Sequence, residues 1–329
     1  MREVTRNGKK KNELNTYNRV YGADFNLASE SNTWQGDMYY HRSADAISED
    51  KNFSHGAFLG YNTRNFGFAV GEQTVGKNFN AESGFVPALT VYPGFFGTFA
   101  EVRGRFYPKS KTIATMSPQA QLNYTFTPDG TATDRSVGLS YDINFLNTSG
   151  LEVGLVNTYQ MLPEDFNPID PEGDSTFLTG QTFDWNQVYV EYQSDSRKVF
   201  NVGAQASYGG YYNGTLFNAA GALNYRYQPF GSLSIGFEYN DIRLPQEYGS
   251  AKFILISPRL DLTFTDKLFL TTFVQYSNRD NNVNLNARFQ WRFKPASDFF
   301  VVYTENYFPE ALHVKNRALV LKVTYWLNL

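Results

Sequence analysis

Fifteen charged side chains recur on one face of alternating, strand-like segments: Asp24, Asp37, Glu101, Arg103, Arg105, Asp142, Glu152, Glu191, Arg226, Glu238, Arg259, Asp261, Arg288, Arg292 and Lys322. Lining a water-filled passage, such a set would attract or repel solutes by charge. Packed without partners in a dry interior, each would cost several kcal/mol. Two readings stay open. One is a lumen cross-braced by ion pairs. The other is a hydrated path in which Glu101, Arg103, Arg105, Arg226, Arg259, Asp261, Arg288 and Arg292 form a charge cluster that steers anions or sugars.

Other chemistry is sparse. The histidines are His41, His55 and His313, and Asp37, His41 and Ser43 share a face in a faint lipase-like grouping. Side chains two apart on a strand stand about 7 Å apart, too far for direct hydrogen bonding, so no catalytic residue is assigned. The acidic segment from Pro163 to Ser175 has oxygen ligands without the regular spacing of a calcium loop and reads as a solvated, proline-stiffened loop. No metal site, phosphate loop or nucleotide fingerprint is present, and no cofactor is expected. Cysteine is absent, which removes disulfides and thiolate chemistry. A net charge of -3, from 29 basic and 32 acidic residues, gives no electrostatic case for nucleic acid. Strand-end aromatics such as Tyr17, Trp34, Tyr92, Tyr211, Trp291 and Trp326 suit an interfacial girdle. Trp185, at the outer end of its segment, is a candidate sugar contact.

The elements that must position these residues are strands. Arg317 to Leu329 alternates, with Leu319, Leu321, Val323, Tyr325, Leu327 and Leu329 on one face. Arg135 to Phe145 and Asn282 to Phe293 follow the same rule, and helical periodicity is hard to find. No apolar run approaches the roughly 18 residues of a helical span. About seventeen strand segments are joined alternately by tight turns, as at Thr63 to Asn65 and Asp195 to Arg197, and by longer loops, as at Gly76 to Pro87 and Leu162 to Gly180. The predicted fold is all-β: a transmembrane antiparallel up-and-down β-barrel of roughly 16 to 18 strands, with long loops outside and the carboxyl terminus in the periplasm. Residues 1–16 read as a polar external segment and 17–329 as the barrel. An odd count makes the first and last strands run the same way, whereas single-chain bacterial barrels close with an even number, so an amino-terminal truncation is expected. The opening lacks the basic and apolar regions of a secretory signal, which is expected to be removed or to lie upstream.

Three segments carry a resemblance: His55 to Phe66 (HGAFLGYNTRNF), Val75 to Asn80 (VGKNFN) and Ser83 to Pro87 (SGFVP). Together they make the chain resemble the uncharacterised carboxyl-terminal barrel domain of Bacteroidetes-type outer-membrane proteins, which usually follows a sugar-binding-like β-sandwich. Asn12 to Leu27 is similar to a stretch well inside that barrel. The resemblance implies an outer-membrane location and carries no catalytic motif. The expected function is a pore or passage component for small polar solutes or glycans. The alternative is a non-conducting anchor or assembly platform that presents a carbohydrate-binding module. Expected partners are the bilayer with its lipopolysaccharide, a glycan ligand and other envelope proteins.

Overall fold

The computed structural model describes residues 4–6, 9–11, 17–45, 50–82, 84, 86, 92–169 and 176–327. Within the segment expected to be a loop, β1 (Val4–Arg6) and β2 (Lys9–Lys11) pair as an antiparallel hairpin. The barrel strands begin with β3 (Asn18–Ala28), β4 (Trp34–Asp45), β5 (Phe53–Asn62), β6 (Phe66–Val75), β7 (Phe95–Gly104) and β8 (Ile113–Phe126). They continue with β9 (Ala132–Phe145), β10 (Gly150–Met161), β11 (Thr182–Gln193), β12 (Phe200–Tyr211), β13 (Gly214–Tyr227) and β14 (Gly231–Arg243). The last are β15 (Ser250–Thr263), β16 (Leu268–Ser277), β17 (Asn282–Lys294), β18 (Ser297–Phe308) and β19 (His313–Thr324). These seventeen strands, β3 to β19, follow chain order around one closed up-and-down barrel. An even number of reversals separates β3 from β19, so the two run in the same direction, as the odd count required.

The chain divides into two compact units. One holds Met1–Tyr107, Met116–Tyr141 and Gly154–Asn186; the other holds Pro108–Thr115, Asp142–Val153 and Gln187–Leu329. In the first unit, antiparallel registers align Phe25, Met38 and Ala57 across β3 to β5, and Leu59 with Val70 across β5 and β6. In the second, Leu233, Leu260, Thr272, Ala287, Tyr303 and Leu319 form one cross-strand row from β14 to β19. Side chains alternate faces along a strand, so the polar residues between these positions occupy the other face.

Exposure identifies the solvent of each face. Among the described residues, only Val75, Phe79, Phe95, Leu162, Phe177 and Ile242 are buried apolar side chains, whereas Phe25 is 56%, Leu139 56%, Val188 54% and Leu321 62% exposed. A water-soluble domain of this size buries its apolar face. Here that face is the outside of a closed wall, and hydrocarbon is the medium that makes it stable. The charged face is therefore the inner one.

The terminal strand differs from expectation at both ends. It begins at His313 and stops at Thr324, the partner of Asp298 next to the first residue of β18. Among the described residues the β18 ladder ends there, and the Trp326 amide donates to Ser297 Oγ at 3.0 Å. Tyr325 to Leu327 therefore lie past the strand, and Leu329 lies outside the described residues.

Within the first unit, two connections expected to be external loops rest on inward-facing side chains. After β6, Phe79 packs with Val75 and Phe95, both of which stand at inward positions. Asn80 is fixed there by its amide donating to Ser43 Oγ at 3.0 Å and by Asn18 Nδ2 donating to its carbonyl at 2.8 Å. Gly94 has φ +81° and a Cβ there would lie 2.6 Å from the Val75 carbonyl oxygen, so only glycine lets the chain return so closely to β6. After β10, Phe177 is buried against Phe183 on β11 and bridges to Phe166.

Candidate functional site

In the second unit, register places Arg226, Ser232, Asp261, Thr271 and Arg288 side by side on the inward face of β13 to β17. Arg259, two residues before Asp261 on the same strand, donates to it from Nε at 2.8 Å, and Thr271 Oγ1 donates to Asp261 at 2.8 Å. Arg288 stands beyond Thr271 with no ion pair among the described residues. Arg292 faces Asp298 on β18 at 3.4 Å, and Gln290 donates to the same carboxylate at 2.8 Å. Arg226 serves a different purpose from the steering role expected of it. Its Nη2 donates to the carbonyls of Ser196 and Lys198 at 2.5 and 2.9 Å, clamping the β11–β12 turn at the end of the wall.

The first unit carries Glu101 and Arg103 two apart on β7, 3.1 Å from each other, with Arg103 Nε donating to Gln119 at 2.8 Å. Arg105 was expected on this strand, but β7 ends at Gly104. Arg105 Nη1 instead donates to Asn62 Oδ1 and the Thr63 carbonyl, both at 3.2 Å, where the chain turns. A groove of about 270 Å³ runs beside these three charges and Gln35. The described inward ion pairs join residues of one strand or of adjacent strands, so they brace the wall along its surface.

Sequence reasoning missed an amide surface. Asn282 and Asn284 both donate to Asn306 Oδ1, at 3.0 and 2.9 Å; Asn306 donates to Asn316 at 2.8 Å; and Asn286 donates to Thr304 at 2.8 Å. Asn218 donates to Asn240, and Asn240 to Glu238, both at 2.8 Å. The signal was present as asparagine at alternate positions of β17. Next to this surface, Gly203, Ala220, Ala222 and Gly236 floor an inward groove of about 380 Å³ between Glu191 and Glu238. Small side chains leave the room; the carboxylates and amides supply the acceptors and donors a hydroxylated solute needs.

The remaining candidates resolve separately. His41 Nε2 lies 3.1 Å from Asp24 and its ring stacks on Tyr39, while Ser43 is fully buried as a loop anchor. The lipase-like grouping therefore dissolves. Trp185 is half-buried at an inward position of β11, and its carbonyl accepts from Asn157 Nδ2 at 3.2 Å. In the acidic loop, Asp165 accepts from the Thr179 amide and hydroxyl, each at 2.8 Å, which holds its carboxyl below the usual range. The carboxylates of that loop from Asp170 to Asp174 lie outside the described residues. At the opposite end of the wall, the Arg197 guanidinium and amide hold the Asp195 carboxyl well below the ordinary aspartate value.

No family model matches the chain, and no curated protein matches it. Among solved structures it is similar to the ferric enterobactin receptor PfeA. A mutant of that receptor from Pseudomonas aeruginosa aligns at 8% identity and TM-score 0.41, over 89% of this chain and 65% of the receptor chain. The receptor in complex with BCV-L6 aligns at 8% identity and TM-score 0.43, over 95% and 71%. The chain thus spans just under two thirds of the first of these.

Proposed function

We propose that this chain is an outer-membrane β-barrel whose inner wall passes small polar solutes, hydroxylated ones such as glycans above all. The observation that carries the reading is how the inward charges are satisfied. Arg259 with Asp261, Arg103 with Glu101 and Arg292 with Asp298 pair along the wall, and the asparagine surface adds donors and acceptors to the inward face of β17 and β18. Charges arranged this way remain solvated at modest cost and present a polar path. An apolar outward face of strand-crossing length supports the membrane location, and outer membranes are where single-chain barrels of this kind reside.

A second reading, a non-conducting anchor that presents a carbohydrate-binding module, draws on the first unit. There the connections after β6 and β10 rest on the inner face and narrow that part of the wall. Liposome swelling separates the two. Proteoliposomes should swell in uncharged mono- and disaccharides at rates that fall with sugar size, whereas an anchor leaves them as slow as protein-free vesicles.

A further inference from the structure

In the second unit, three turns at one end of the wall are tied together around a pocket that the passage does not use. They are residues 108–112 before β8, 146–149 before β10 and 194–199 after β11. The Leu146 amide donates to the Thr112 carbonyl at 2.8 Å, Thr148 Oγ1 to Asp195 at 3.0 Å and Arg197 Nη2 to the Asn147 carbonyl at 3.1 Å. Up-and-down order puts these turns at the end where β19 finishes, the end expected to face the periplasm. The pocket, about 740 Å³, is lined chiefly by Lys111, Thr112, Phe145, Leu146, Asn147 and Tyr192. Tyr192 shares its face with Val188 and Val190, 54% and 41% exposed, so the pocket lies on the membrane side of the wall.

Three of the lining side chains carry donors that nothing in the wall uses. Asn147 Oδ1 accepts from the Ser149 amide at 3.0 Å and from its hydroxyl at 2.7 Å. An amide N–H can only donate, so the Asn147 side chain is fixed with its Nδ2 protons unspent. Those protons, the Lys111 ammonium and the Tyr192 hydroxyl have no hydrogen-bond or ion-pair partner among the described residues. The same three turns hold Lys109, Lys111, Arg197 and Lys198 against one carboxylate, Asp195, which Arg197 already meets at 2.8 Å. Beside the donors, Leu146 is exposed and Phe145 half-buried, so an apolar surface continues from the polar end of the pocket.

We propose that this pocket seats the phosphate of an anionic phospholipid from the leaflet at this end of the barrel. The proposal rests on the membrane location given above and names a lipid partner for the outer wall. An ionised phosphate offers acceptors alone, which answers an amide, an ammonium and a hydroxyl that have only protons to give. Its chains then run along Phe145 and Leu146 into the hydrocarbon. The surplus of basic side chains in the turns favours a lipid of net negative charge over a zwitterionic one, whose own ammonium they repel.

The test pairs dioleoyl phosphatidylglycerol with dioleoyl phosphatidylethanolamine, which share their chains and their phosphate and differ in net charge. The intact chain is reconstituted in vesicles of equal parts of both, released in mild detergent, and its retained lipid measured by native mass spectrometry. Phosphatidylglycerol should be enriched about tenfold, and Lys111→Ala should lower that enrichment about fivefold, the scale of one basic side chain at an anionic surface. Asn147→Asp keeps the acceptor for Ser149 and sets a carboxylate where the amide donated, so it should reduce retention of both lipids. Lys267→Ala, in the turn between β15 and β16 at the same end, should leave retention and enrichment unchanged. All three variants should keep the folded barrel's heat-modifiable migration. Equal retention of the two lipids in the unaltered chain overturns the proposal while the membrane location stands. So does a loss in Lys267→Ala as large as that in Lys111→Ala, which would mean a diffuse charge effect without a site. A chain that fails to enter vesicles at all overturns both.

Discussion

Arg288 is the residue on which selectivity should turn. Arg259 and Arg292 have carboxylate partners, whereas Arg288 faces inward beyond Thr271 with no ion pair among the described residues, so its charge is not cancelled by a directly bonded carboxylate. Arg288→Ala should shift the reversal potential in a salt gradient toward cations, and Arg292→Ala, whose loss leaves Asp298 uncompensated, should do the same; an unchanged reversal potential in both would remove Arg steering. A second residue-scale prediction concerns pH. Asp195 is held below 3.8 in the folded chain by Arg197 and Thr148. Because the folded value lies below the unfolded one, the stabilisation is complete above the ordinary aspartate range and is lost as pH falls through the folded value. Carboxyl-carbon NMR should place the Asp195 midpoint below 3.8, moving up in Arg197→Ala; a midpoint at or above 3.8 in the unaltered chain would contradict the clamp. Periodicity revealed which residues face inward. It did not reveal that Arg105 and Arg226 bind turn carbonyls, because a side chain's reach near a strand end depends on which turn folds beneath it.

The strands were legible because the period of two is strict wherever one face meets hydrocarbon and the other meets water. The connections were less so. Tyr211 and Gly214 are joined by only Tyr212 and Asn213, and β18 and β19 by the residues between Phe308 and His313. The side expected to bear long loops thus has tight hairpins as well. The folding of Gly76 to Glu82 onto the inner face depends on Phe79 meeting Val75 and Phe95, residues close in space through strand pairing and hidden in a linear reading. This cluster is small, and its loss should free the connection without unfolding the wall. Phe79→Ala is expected to cost about 3 kcal/mol of local stability and to raise solute flux. Hydrogen exchange should show faster amides at Asn78 to Asn80 with those of β12 to β16 unchanged; protection lost across the whole sheet would mean that the loop supports the barrel.

At the scale of the molecule, the all-β class and the strand number near seventeen were readable from alternation and turn spacing, and the shared direction of β3 and β19 followed from the count alone. The inner wall's chemistry was readable only in part. Charges announce themselves by their cost in a membrane, whereas asparagine at alternate positions looks like any polar face until register brings Asn282, Asn284, Asn306 and Asn316 together. The central claim is that this wall encloses a hydrated passage, and current through planar bilayers tests it most directly. Purified barrel added to one side should produce stepwise, ohmic conductance increments that grow with salt concentration and become larger in Phe79→Ala. Inserted protein, verified by protease protection, that carries no current in either form would contradict the account.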